Sequence, residues 1–309
     1  MEVFSLAFPS QPNIFPADAV ILFGCFDGVH PGHLALLEEA KRIAAGRHPV
    51  AVWVIDRGAP DCLTTREEKC RIFALHGADF LAEEPFPQIC SLSGEEFFTR
   101  HVLPHRPHAL VCGFNFRFGV KASCGAEDLK KMAAEHDVLC SVVPAMNDSG
   151  ITVSSTAVRN AVHAGDLVTA AHLLGRPLSY TSEIRHGKQL GRTIGHPTIN
   201  QRIPELKIAP PRGVYSCVCT FVLDGESVTR GGVCNIGSRP TVNDDTSDVT
   251  LETYLFDFSG DLYGTVVTTS LIERIRGEKR FDSVDALREQ IGLDGEDARV
   301  SLKKRGYGE

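Results

Sequence analysis

The sequence is short of positive charge: 32 lysines and arginines stand against 39 aspartates and glutamates, a formal net charge of −7 over 309 residues. Such a chain carries no electrostatic footprint for a phosphodiester backbone, which excludes nucleic acid as an expected partner. Long apolar runs are missing too. Nothing approaches the roughly 20 residues of a membrane span, and the opening MEVFSLAFPSQPNIFPADAV lacks the basic start of a secretory leader. A cytoplasmic chain with no membrane partner is expected. Paired cysteines are also lacking: ten are scattered singly, and the closest two, Cys217 and Cys219, alternate as strand neighbours do. Reduced, mostly buried thiols follow. There is no internal repeat and no low-complexity tract. What is present is 43% apolar residues, enough to fill substantial cores, and at this length two domains are expected.

A change of texture near 175–180 divides the chain into expected domains at 1–175 and 180–309. In the first, an apolar run at 19–23 is followed by helical spacing over 34–43, and a second buried strand is predicted at 49–55. Thr65-x-x-Glu68 and Ser93-x-x-Glu96 have capping-box form and open helices. Strands at 109–112 and 138–143 flank a helix at 126–136, and two short helices follow at 154–163 and 166–174. This alternation predicts a Rossmann-like α/β domain, whose ligands bind outside the carboxyl ends of parallel strands. After Tyr180 the pattern has period two, at 214–222, 249–256 and 264–272, with a turn signal at Asp224-Gly225. A small antiparallel β-barrel closed by a C-terminal helix from about Ser283 is expected.

The stretch FGCFDGVHPGH, running from Phe23 to His33, places two histidines three residues apart in a glycine-bounded turn between a strand and a helix. Such a turn offers backbone N–H groups and a positive dipole end to a phosphate. Ordinary capping or surface histidines are the plain alternative. A histidine pair alone does not complete a zinc site, and no nearby cysteine or third histidine has the spacing to close one. Further on, Gly187, Gly191 and Gly195 give a loop able to close on phosphates, and Thr198 and Asn200 alternate on one face of an extended segment. A glycine-rich turn with no ligand is the plain reading there. Glu252, a carboxylate within Val249-Thr250-Leu251-Glu252-Thr253-Tyr254-Leu255, is either a proton acceptor or an outward-facing strand residue.

Taken together, the motifs resemble those of the prokaryotic bifunctional riboflavin kinase/FMN adenylyltransferase (FAD synthetase) family. In family order stand the Gly24–His33 signature, GFNFRFG at 113–119, SSTAVRNAV at 154–162 and AGDLVTAAHLLGRPL at 164–178. In the second half HGKQLGRTIGHPTIN, PPRGVYS, GVCNIGSRPTV, LETYLFDFSGDLYG and RGEKRFDSVDALREQI follow. The resemblance implies phosphorylation of riboflavin by Mg2+-ATP, then adenylylation of FMN to FAD by a second ATP with release of pyrophosphate. It implies Glu252 as base of the kinase, and His30 and His33 as charge-stabilising groups of the adenylyltransferase. Gly24, Phe26, Asp27, Gly28, Gly32, Ser154, Ser155, Thr156, Arg159, Gly187, Gly191, Gly195 and Thr198 would then bind nucleotide. Asn115, Arg117, Phe118 and Arg276 would bind flavin, and Thr198 and Asn200 would hold magnesium. The chain departs from the family pattern where Val54-Ile55-Asp56-Arg57-Gly58-Ala59-Pro60 replaces Phe-Asp-Pro-His-Pro, at Asn115, where many relatives have Asp, and at His196, which replaces Phe. The first departure leaves open a second reading, a riboflavin kinase whose N-terminal domain serves binding or regulation.

Overall fold

The computed structural model describes residues 2–4, 14–148, 150–185, 197–239 and 248–307. The chain divides into two compact units, Met1–Ser155 and Thr156–Glu309.

The first unit is built on six parallel strands: β1 (Glu2–Phe4), β2 (Val20–Gly24), β3 (Val50–Asp56), β4 (Phe80–Pro85), β5 (Ala109–Gly113) and β6 (Leu139–Val143). Their order across the sheet is β1-β4-β3-β2-β5-β6. The central strands β2, β3 and β5 are almost wholly apolar because both of their faces are covered. Ile21, Phe23 and Trp53 enter one core with Phe97 and Leu129, and Val20, Leu22 and Val52 enter the other with Leu37 and Phe73. Helix α1 (Pro31–Ala44) follows β2, α2 (Arg66–Leu75) follows β3 and α3 (Ala126–Ala134) precedes β6. Both expected capping boxes form: Thr65 and Glu68 satisfy each other's amides at the start of α2, and Ser93 and Glu96 do so at a shorter turn of helix. The Phe80–Pro85 strand carries two glutamates and a proline, which hid its period from the sequence.

In the second unit α4 (Ser155–Ala164) and α5 (Leu167–Leu174) precede β7 (Leu178–Glu183), β8 (Thr198–Arg202), β9 (Gly213–Leu223), β10 (Glu226–Arg239), β11 (Asp248–Leu255) and β12 (Val266–Gly277). The units divide upstream of the textural break at 175–180 because α5 packs on β7 and β12. The sheet is antiparallel, in the order β7-β12-β9-β10-β11-β8, and it curls until an Arg185–Asn200 bridge joins its two edges. Asp224 and Gly225, both at positive φ, form the tight β9–β10 turn. Helix α6 (Val284–Lys304), capped by the Ser283 hydroxyl, covers Val214, Val233 and Ile272 with Ala298 and Leu302. Among the described residues no helix is long and apolar enough to cross a membrane.

Candidate active sites

In the first unit β2 is followed in sequence by β3 on one side of it, and β5 lies on the other. The carboxyl ends of β2 and β5 therefore frame the switch-point crevice of a doubly wound sheet. The histidine turn stands there. His30 is the N-cap of α1, Pro31 opens the helix, and the His33 amide donates to the His30 carbonyl at 2.8 Å. The two imidazoles stack with centroids 3.6 Å apart, and Phe26 meets His33 edge-on at 5.3 Å. Gly32 permits this packing, since a Cβ there would lie 3.1 Å from the His30 ring. The approach to the helix is held in unusual backbone: Phe26, Gly28 and Val29 all have positive φ, a cost borne by two side-chain-bearing residues. Asp27 fixes that shape. Its Oδ1 accepts from the amides of Leu63 (2.8 Å) and Thr64 (3.2 Å), and the Gly28 amide donates to the Thr64 hydroxyl at 2.9 Å.

Ser155 reaches the same turn from 128 residues away, its hydroxyl donating to the Asp27 carbonyl at 2.8 Å. Ser155 is the last residue of the first unit, so this bond lies within that unit. Ser154 precedes it; Thr156 and Arg159 follow on α4 and belong to the second unit. Gly24 ends β2, where a Cβ would press on the Phe26 ring at 3.0 Å. Asn115 is exposed just after β5, and Arg117 is exposed two residues on. Phe118 turns inward, its ring stacked on Phe116 and tilted against Phe97 in the core. Arg57 stands out only in the folded chain. At the end of β3, its guanidinium lies against the Cys25 thiol and 5.5 Å over the Phe86 ring, adding a cation beside the histidine turn. Burial pushes the Cys25 thiol above its ordinary range, with Arg57 opposing.

The second unit gathers its candidates by strand register. Asn200 on β8 pairs with Glu252 on β11, and Glu252 pairs on its other side with Asn235 on β10. Asn235 pairs with Val214 on β9, which pairs with Arg276 on β12. Directly paired residues share a face, so Asn200, Glu252, Asn235 and Arg276 form one row, and Thr198 stands beside it, opposite Tyr254. Glu252 is half-buried between two carboxamides, while Leu251 and Thr253 point to the opposite, closed face. Arg276 donates through Nε and Nη2, one edge of its guanidinium, to the two carboxylate oxygens of the buried Asp294 of α6, at 2.7 and 2.6 Å. The Thr198 hydroxyl, Asn200 carboxamide and Glu252 carboxylate are all oxygen donors, a set suited to a hard divalent cation. Asn235 was not singled out in the sequence; it stood inside GVCNIGSRPTV, and only register puts it beside Glu252. Gly187, Gly191 and Gly195 lie outside the described residues, as does His196.

Residues 13–157 match the family model for FAD synthetase and residues 174–302 the model for riboflavin kinase. The chain is 32% identical over 297 residues to the bifunctional riboflavin kinase/FMN adenylyltransferase of Bacillus subtilis strain 168, covering 91% of this chain and 92% of the relative. It is 34% identical over 293 residues to the protein of the same name from Escherichia coli K12, covering 91% of each. Among solved structures, a Streptococcus pneumoniae protein titled a macrolide-efflux protein superposes with a TM-score of 0.83 at 29% identity, over 96% of this chain and 98% of that one.

Proposed function

Because the chain belongs to the bifunctional riboflavin kinase/FMN adenylyltransferase family, we propose that it makes FMN from riboflavin and ATP in its second unit and FAD from FMN and ATP in its first. The observation that carries the kinase reading is the row Asn200–Glu252–Asn235, a carboxylate flanked by two carboxamides at the polar end of a face whose apolar end is covered by α6. In the kinase step the riboflavin 5′-hydroxyl oxygen attacks the γ-phosphorus of ATP. The bond from that phosphorus to the β–γ bridging oxygen breaks, ADP leaves, and Glu252 takes the hydroxyl proton. Asn200 and Asn235 flank Glu252 in the strand register. Arg276 anchors α6 beside the site through Asp294, a positioning role toward the flavin. Thr198 and Asn200 would hold magnesium, which supplies charge neutralisation at the phosphate oxygens when bound. Gly187, Gly191 and Gly195 would bind the phosphates.

In the adenylyltransferase step a phosphate oxygen of FMN attacks the α-phosphorus of ATP and pyrophosphate leaves. No hydroxyl proton has to be removed, so the protein's part is positioning and charge stabilisation. His30, His33 and the first amides of α1 meet the phosphates, with Gly24, Phe26, Asp27, Gly28 and Gly32 shaping the turn. Ser154, Ser155, Thr156 and Arg159 at the start of α4 would take the leaving pyrophosphate. Asn115 and Arg117 would meet the flavin, with Phe118 supporting them from the core. Arg57 supplies a cation near the turn. These are reactions of a cytoplasmic enzyme on small molecules. The test is to incubate purified protein with riboflavin, ATP and magnesium and resolve the flavins. FMN and FAD are both expected; FMN without FAD, also from supplied FMN, would leave only the kinase with a binding or regulatory first unit.

A further inference from the structure

At the amino-terminal edge of the parallel sheet, opposite the histidine turn, three side chains from three loops converge. Asp18 precedes β2, His48 precedes β3 and His108 precedes β5. Parallel register sets them level, since Val20 pairs with both Val50 and Ala109. Main-chain bonds pin all three loops together: the Asp18 amide donates to the Arg106 carbonyl, the His108 amide to the Ala19 carbonyl and the Val20 amide to the Pro49 carbonyl, at 2.8–2.9 Å. Asp18 is held at φ 69°, a left-handed conformation that fixes where its carboxylate stands.

Each oxygen of that carboxylate faces a different imidazole. Asp18 Oδ2 lies 3.1 Å from His48 Nδ1, and Oδ1 lies 3.5 Å from His108 Nδ1. One donor atom from each residue falls within 4.8 Å of the others. A tetrahedral zinc ion with bonds of about 2.0–2.1 Å holds its donors roughly 3.3–3.4 Å apart; the two aspartate-to-histidine separations, made by different carboxylate oxygens, lie on either side of that spacing. The two rings lie stacked, with centroids 3.6 Å apart and planes 11° from parallel. Their nitrogens are therefore adjacent, but their lone pairs must splay to meet at one point. His108, at 38% side-chain exposure against 19% for His48, is the ring with room to turn.

We propose that Asp18, His48 and His108 form a binding site for a divalent transition-metal ion of zinc type, with water in the fourth position, and that the ion ties the three loops at this edge of the sheet. Two nitrogen donors and one carboxylate suit zinc and disfavour magnesium or calcium, which take oxygen donors. His48 Nδ1 also lies 3.1 Å from the Asp18 carbonyl oxygen. That carbonyl can only accept, so in the metal-free chain this nitrogen donates to it, and ligation through Nδ1 replaces that hydrogen bond and moves the ring proton to Nε2.

The test uses the full chain, stripped with chelator and titrated with zinc chloride against a chromophoric competitor. One zinc per chain is expected, with affinity lowered more than about tenfold in each of H48Q and H108Q, both folded by circular dichroism. Cobalt(II) in the same site is expected to give visible d–d bands without the near-ultraviolet sulfur-to-cobalt band of a thiolate site. The cobalt spectrum decides the question on the wild-type chain if a variant fails to fold. Absence of zinc binding, wild-type affinity in both histidine variants, or a thiolate spectrum marking the cysteines as the ligands would each overturn the proposal. None of these outcomes depends on flavin turnover.

Discussion

Glu252 stands in its row with a carboxamide on either side, so replacing its carboxylate by a third amide keeps the shape of the row and removes the proton acceptor. Glu252→Gln is expected to lower FMN formation by roughly 10²–10⁴-fold, the usual worth of a general base, with an unchanged melting temperature; near wild-type rates would make Glu252 a strand residue only. His33→Ala is expected to slow conversion of supplied FMN to FAD while riboflavin phosphorylation proceeds at the wild-type rate, measured by separating the two flavins. A different carboxylate tests the first core. Glu84 is fully buried and accepts from Trp53 Nε1 at 3.0 Å, and burial raises its pKa from 4.5 to about 7. Between those values the folded chain keeps a proton that the unfolded chain has released, so stability falls as pH rises. Nearby His105 acts in the opposite sense: burial lowers its pKa from 6.5 to about 4, so stability falls as pH drops through that range, and burial lowers His101 likewise. Glu84→Gln removes the first contribution, at a side chain that also faces His101 Nδ1 at 3.5 Å, and leaves His105 in place. Melting temperature followed from pH 4.5 to 7 is expected to rise more steeply with pH in this variant than in wild type, and parallel curves would show that Glu84 is ionised in the fold.

Helix α6 depends on what it packs against. It carries Gly292 in its interior, exposed and with nothing within 4 Å of where a Cβ would stand. Gly292→Ala is expected to stabilise the second unit by about 0.5–1 kcal/mol through helix propensity alone; a loss of stability in thermal melts would mean that something occupies that space. How legible each element was in the sequence follows from its chemistry. The capping boxes at Thr65 and Ser93 were legible because a cap is a local arrangement of four residues. Strands β2, β3, β9 and β11 were legible from apolar runs or alternation. β4 was not, because Glu83 and Glu84 interrupt its pattern while finding partners in Lys69 and Trp53. The site was half legible. His30, His33 and Glu252 stand out by type and spacing, but Asn235 and Arg57 reach their places through register and tertiary approach, which no local pattern encodes. The pairing of Arg276 with Asp294 across 18 residues was hidden for the same reason.

At the scale of the whole molecule, each unit has its own core and its own sheet. A segment starting near residue 156 is therefore expected to fold alone and keep the kinase. The chain carries the means to watch this without cutting it. Its single tryptophan, Trp53, is buried in the first unit, and all five tyrosines, Tyr180, Tyr215, Tyr254, Tyr263 and Tyr307, belong to the second. Light absorbed at the red edge of the ultraviolet spectrum excites only the indole, so emission there reports the nucleotidyl-transferring half alone, while phenol absorbance reports the kinase half. In a denaturant titration of the intact chain the two signals are expected to move at different midpoints, and only the tyrosine transition is expected to shift with Gly292→Ala. Coincident midpoints that shift together would mean one cooperative block. Evolution has thus left this enzyme with two optical channels, one per active site, through which ligand binding at either half can be followed separately.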